Sequence, residues 1–214
     1  LSYIGSKPAN KPVVASDLDP TVITGQTALA VAPADTDEFL ISDAGVLKRI
    51  DASLVIPSGG LEVADQWRLT TSLSVADAFL TANFEQTDTG IQGNLGSSMT
   101  ESSGVFTFPS TGFYWVKANA QFKHNANTRQ CFFAIYGTAD NSSYVDLATQ
   151  RSFITIGASG NTHTSVVTDT LIDVTNVSTH KVKFYMSGIG GGETLQGNSS
   201  VNATYFTFFK LGAT

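Results

Sequence analysis

The sequence is poor in charge, cysteine and long apolar runs: 14% of its 214 residues are Asp, Glu, Lys or Arg, and Cys131 is the single cysteine. One cysteine excludes an intrachain disulfide and any cysteine-based metal cluster. Its context, Cys131-Phe132-Phe133, is that of a buried strand, where a thiol acts as a small hydrophobe. No apolar stretch approaches ~18 residues, so no membrane insertion is expected. Leu1 to Lys11 shows no charged segment leading into an apolar block and no Ala-x-Ala site, so no export leader is expected either. Basic runs are missing too. Twelve Lys and Arg against eighteen Asp and Glu give a formal charge of −6, a field that repels phosphate and makes nucleic acid a poor partner. Helical heptads, a Gly-x-Ser-x-Gly elbow and a His-Glu-x-x-His pair are all absent, so the minimum signature of a hydrolase is lacking. The glycine run Gly188-Ile189-Gly190-Gly191-Gly192 lies between two strand candidates with no Lys-Ser/Thr after it, which makes it a turn and not a phosphate loop. No catalytic residue, metal or cofactor is expected.

What remains is a chain that is 42% hydrophobic, with Ser and Thr supplying about a fifth of it. Neutral hydroxyls can be buried between subunits at a lower desolvation cost than charges, so oligomerisation is expected. Period-2 segments bounded by Gly, Asn, Asp, Ser and Pro recur throughout, the pattern of an all-β fold. Pro57-Ser58-Gly59-Gly60 is the best linker. It divides residues 1–60, which hold five of the six prolines, from residues 61–214.

The first part contains a strand candidate over Thr21 to Val31. It also contains a hairpin, Asp37 to Ser42 and Val46 to Ile50, turning at Asp43-Ala44-Gly45. A lone hairpin is marginal in water, so Phe39, Ile41, Val46 and Ile50 need a partner surface, for which a second chain is favoured. The second part carries ten strand candidates: Asp65 to Thr71, Ala78 to Phe84, Gly104 to Phe108, Gly112 to His124, Cys131 to Gly137, Ser143 to Ala148, Ser152 to Gly157, Ser165 to Val174, Lys181 to Ser187 and Ser200 to Leu211. So many short strands predict a two-sheet sandwich or a barrel.

The most specific stretch is Gly104-Val105-Phe106-Thr107-Phe108-Pro109-Ser110-Thr111-Gly112-Phe113-Tyr114-Trp115-Val116. Pro109 has no N–H to give a ladder and ends one strand, and Gly112 accepts a turn geometry that a β-branched residue resists. In the strand that follows, Tyr114, Val116, Ala118, Ala120 and Phe122 alternate with Phe113, Trp115, Lys117, Asn119, Gln121 and Lys123. The first set faces a core. Leaving both Phe113 and Trp115 in water is unfavourable, so their end of the second face is expected to meet a neighbouring subunit or the sheet rim. This stretch resembles the core motif of the C1q/TNF-like jelly rolls, as does the aromatic closing strand with Tyr205, Phe206 and Phe208. The resemblance, over roughly residues 65–212, implies a jelly-roll sandwich assembled as a homotrimer with its C-terminal strands near the axis.

Tyr3-Ile4-Gly5-x-x-Pro8 and Asp37 to Ile50 are similar to segments of tailed-bacteriophage structural proteins. That similarity implies a virion location, with residues 1–60 anchoring the chain to other virion proteins through Tyr3, Ile4, Phe39, Ile41 and Ile50. One further cluster could bind a ligand. In Asn125-Ala126-Asn127-Thr128-Arg129-Gln130, the planar groups of Asn125, Asn127 and Arg129 lie beside Phe132 in the sequence, an array suited to sugar hydroxyls. A solvated loop explains the same residues. His124, His163 and His180 stand at no metal-ligand spacing, and Asp169 and Asp173 would lie ~13 Å apart on one strand face, too far for a glycosidase pair. The expectation is a non-enzymatic, trimeric phage fibre or appendage with host-surface glycan as a candidate partner. A capsid decoration protein and a soluble lectin-like module are the alternatives.

Overall fold

The computed structural model describes residues 24–55 apart from 26, 28 and 32, then residues 60–157, 160–188 and 191–214. Its contacts cluster into two compact units, Leu1–Gly59 and Gly60–Thr214.

The first unit is built on a hairpin of β1 (Glu38–Asp43) and β2 (Val46–Asp51), followed by a single helical turn, α1 (Ala52–Val55). Asp43 pairs with Val46, so the turn has two residues, Ala44 and Gly45, at φ 50° and 83°. Two positive φ values match the right-handed twist of the flanking strands, which is why an Ala-Gly pair can close this hairpin. The described residues of Thr21 to Val31 form no strand, contrary to the sequence expectation. Its apolar members Leu29 and Val31 stay exposed, and alternation alone does not make a strand when no ladder partner is present.

The second unit is the all-β two-sheet sandwich that the alternation predicts. Its strands are β3 (Val63–Leu69), β4 (Thr71–Ser74), β5 (Ala78–Phe79), β6 (Phe84–Gln86), β7 (Thr100–Ser102), β8 (Val105–Thr107), β9 (Gly112–His124), β10 (Thr128–Thr138), β11 (Val145–Ile154), β12 (Thr162–Val174), β13 (Lys181–Gly188), β14 (Thr194–Asn198) and β15 (Tyr205–Gly212). One sheet runs β3-β15-β9-β12, with β6 beyond β3, and with β14 and β4 extending it past the start of β15. The other runs β8-β13-β10-β11, with β7 beyond β8 and β5 on β13. Numbered in chain order, the eight principal strands lie 1-8-3-6 and 2-7-4-5, which is the double Greek key of a jelly roll.

Several boundaries differ from those read in the sequence, each for a local reason. Ala78 to Phe84 is two short strands separated by Asn83 at φ 67°. Ser143 to Ala148 and Ser152 to Gly157 are one edge strand, β11, because polar Thr149-Gln150-Arg151 continues the ladder with β10. The closing strand starts at Tyr205, not Ser200: the Asn198 carboxamide oxygen caps a turn by accepting the Ser200 and Val201 N–H groups. β7 and β14, short and polar, carry no apolar alternation to reveal them.

The core between the sheets is aromatic. Phe106 meets Trp67, Phe84, Phe184, Phe206 and Phe208 at ring-centroid distances of 5.1–6.2 Å, mostly edge to face. Phe133 and Phe206 continue the cluster against Phe184. Gly104 makes the neighbouring turn possible, since it sits at φ 81° and a Cβ there would come within 1.9 Å of the Leu80 carbonyl oxygen.

Candidate functional site

The inward residues of β9, Tyr114, Val116, Ala118, Ala120 and Phe122, are completely buried. Its outward residues lie in rows set by the ladder. One row runs Leu171, Trp115, Phe209, Ala64 across β12, β9, β15 and β3, and the next runs Asp169, Lys117, Thr207, Gln66. Phe113 pairs with Asp173 on one side and Gly212 on the other. One end of this face is therefore apolar: Phe113 is 37% exposed, Trp115 36% and Leu171 59%.

The indole of Trp115 is held in place. Its Nε1–H donates to Asp169 Oδ2 at 2.8 Å, its ring packs on Phe209 at 5.9 Å, and the Lys117 ammonium lies over it at the same distance. Asp169 thus orients a surface aromatic, a role that its sequence neighbours do not disclose. Of the six aromatic residues singled out from the sequence, Tyr114, Phe206 and Phe208 are buried in the core, whereas Phe113, Trp115 and half-buried Tyr205 occupy the outer face.

Beside this face the sandwich is open between β11 and β12. A groove of about 530 Å³ lies there, walled by Val145, Leu147, Leu171 and Ile172, with Asp173 and His180 also lining it. Asp140 lines the groove as well. Its carboxylate accepts from the Ser143 N–H, the Thr138 hydroxyl and the Ser142 N–H, which hold its pKa well below the ordinary carboxylate value.

The polar loop between β9 and β10 is tighter than its sequence suggests. Asn125 and Arg129 are exposed, but the Asn127 carboxamide oxygen accepts the Ile156 N–H at 2.8 Å. The Ala126 carbonyl accepts from His124 Nδ1 at 3.0 Å, which places the proton on that nitrogen. Thr128 is buried and donates to buried Glu193. The ring of Phe132 is engaged elsewhere, with Tyr185 at 6.0 Å and the Arg151 guanidinium at 5.0 Å.

In the first unit, Phe39 pairs with Ile50, and Ile41 lies two residues along the same strand face. Phe39, Ile41 and Val46 are exposed and Ile50 is half-buried. Tyr3 and Ile4 lie outside the described residues. Among the described residues no group of three His, Cys, Asp or Glu could hold a metal ion.

No protein-family model matches the chain, and no curated protein matches it. Among solved structures it is similar to the structure of Eiger TNF from S. frugiperda, at 13% identity and a TM-score of 0.46, over 71% of this chain and 93% of that one. The jelly roll is assigned from the strand order and registers of this chain alone.

Cys131 belongs to the interior. Burial, reinforced by the Glu193 charge, pushes its thiol up to about 11. The thiolate is the nucleophile, so iodoacetamide at pH 8 is expected to leave the native chain unlabelled and to modify it quantitatively in urea. A native thiol that reacts at the rate of free cysteine would contradict this. Because the folded pKa lies above the unfolded value of 9.0, the thiol's contribution to stability is complete below pH 9 and is lost as the pH rises towards 11.

Proposed function

We propose that this chain is a non-catalytic structural protein of a phage particle: a trimeric appendage whose jelly-roll head self-associates and whose first unit anchors it to other virion proteins. The observation that carries the reading is the apolar row Leu171, Trp115, Phe209 on the outer face of the β3-β15-β9-β12 sheet. A monomer leaves Leu171 mostly in water and Trp115 and Phe209 partly so, and an exposed patch of aromatic and aliphatic residues marks an interaction surface.

The apolar face and the groove between β11 and β12 are different surfaces that adjoin at Leu171. Packing the face of one copy against the groove of the next is a head-to-tail contact, which must either close into a ring or grow without limit. Closure at three copies is what the C1q/TNF resemblance implies. The hairpin supports the anchoring role in a similar way, since Phe39, Ile41 and Val46 are exposed on a two-stranded ribbon too small to stand alone.

Replacing Trp115 and Leu171 together by glutamate places charge in the apolar row. The double variant is expected to sediment as a monomer with an unchanged far-UV spectrum; unaltered association would show that this face is not the contact. The particle role is tested by electron microscopy of phage particles labelled with an antibody against this chain. Label on an appendage is expected, and unlabelled particles would overturn the role.

A further inference from the structure

The outer face of the other sheet carries aromatics of a different kind. Its rows run Arg151, Phe132, Ser187; then Thr149, Ala134, Tyr185, Phe79; then Asp146, Tyr136, Lys183. The rings form one cluster. Phe79 meets Tyr136 at 5.1 Å and Tyr185 at 5.2 Å, both edge to face, and Tyr136 meets Tyr185 at 5.7 Å. Small Ala134 between them leaves room for the tyrosines to lean together.

We propose that this surface, centred on Tyr136 and Tyr185, binds neutral hexopyranose saccharides. The contrast with the opposite sheet carries the inference. The outer face of the first sheet carries Leu171 and Val167 beside its aromatics, as protein contacts do, whereas these three rows contain no Val, Leu, Ile or Met. The rows instead place hydrogen-bonding groups beside the rings: the Asp146 carboxylate, which accepts from the Thr149 hydroxyl and keeps further lone pairs, the Lys183 ammonium and the Arg151 guanidinium. A pyranose presents the matching chemistry, with weakly positive C–H groups on its faces and hydroxyls around its edge.

Ring faces on this surface already attract positive charge. The Lys183 ammonium lies 4.2 Å from the Tyr144 ring centre and 5.5 Å from that of Phe79, and Arg151 covers Phe132. Among the described residues no cation lies over Tyr136 or Tyr185, and both, though packed on one another and on Phe79, keep part of their surface in solvent, where sugar C–H groups can meet them. The local charges are of both signs, Lys183 and Arg151 beside Asp146 and Asp140, so a neutral ligand fits better than an anionic one. Burial, followed by Asp146 and Tyr185, raises the Tyr136 phenol above its ordinary pKa, and it remains a hydrogen-bond donor at neutral pH. The sequence could not reveal this site, because Phe79, Phe132, Tyr136 and Tyr185 belong to three strands that only the fold brings together.

The test is NMR on the full chain with 13C-labelled tyrosine rings, titrated with neutral glucose, galactose and mannose oligosaccharides. The Tyr136 and Tyr185 signals are expected to move saturably with at least one of these sugars, while buried Tyr114 and Tyr205 on the opposite face stay still. Tyr185→Ala is expected to weaken binding by about tenfold and Tyr185→Phe by much less, because the ring supplies most of the contact. If Tyr185→Ala fails to fold, the wild-type signals decide alone. Silence from both rings across the sugar panel would overturn the proposal. So would binding that is lost on replacing Asn125 and Arg129 by alanine and kept in Tyr185→Ala. The Trp115/Leu171 variant, which tests self-association, should bind each sugar with unchanged single-site affinity, so the two readings can fail separately.

Discussion

Phe106→Ala is expected to lower the unfolding free energy by about 3–5 kcal/mol, the range for removing a large aromatic from a packed core. Phe106 is fully buried and is the ring that five others touch, drawn from both sheets: Trp67, Phe206 and Phe208 on one, Phe184 on the other, and Phe84 at the sheet margin. Truncation removes the transfer free energy of the ring and leaves a cavity bounded by strands that cannot all move inward. The chain's two tryptophans, Trp67 and Trp115, both lie in the second unit, so urea unfolding followed by their fluorescence reports on the sandwich alone. A midpoint close to that of the wild type would mean that the ring cluster does not support the fold.

Asp65→Ala is expected to cost a similar amount, about 3–5 kcal/mol, by a different mechanism. Asp65 is almost wholly buried on β3, and its carboxylate accepts from Trp67 Nε1–H at 2.9 Å, Gln86 Nε2–H at 2.7 Å and the Met99 N–H at 2.7 Å. Alanine strips the buried Met99 N–H of its acceptor and takes one from each of the half-buried Trp67 and Gln86 side chains, of which Gln86 keeps its bond to Ser98. Asp65→Asn keeps one accepting oxygen but turns an NH2 group towards donors, so it should fall between Ala and wild type. Equal stability for all three would exclude this account. The same strand holds Arg68, also fully buried, whose guanidinium reaches Glu85, Asp88 and Gln92. Together these two residues tie the segment 84–99 to β3.

The parts of this fold that were legible in the sequence are those where a single strand carries the whole signal. β9 shows 13 alternating residues bounded by Gly112 and a polar loop, and its boundaries match the structure at both ends. The Ala44-Gly45 turn is legible for the same reason, because its chemistry is local. Edge strands were harder to read. β11 has one neighbour and an exposed face, so polar residues can interrupt its pattern without ending the strand. Sites assembled from distant segments were hidden. Trp115 and Asp169 are 54 positions apart, Phe79 and Tyr136 are 57, and no spacing rule connects either pair. The Asn125 to Gln130 loop shows the opposite problem: its composition suits sugar binding, but the fold assigns Asn127 and Thr128 to holding Ile156 and Glu193.

Low charge also takes on a structural meaning. Lys117 and Asp169 are on the outer face of the first sheet, yet both are directed to Trp115 and so border an apolar surface. In the proposed trimer this surface is covered by another copy of the chain. Native mass spectrometry of the full chain tests this most directly. A species of about 68 kDa, three times the 22.6 kDa chain, that collapses to monomer when Trp115 and Leu171 become glutamate, is the expected result. A wild-type chain that is monomeric at tens of micromolar would contradict it.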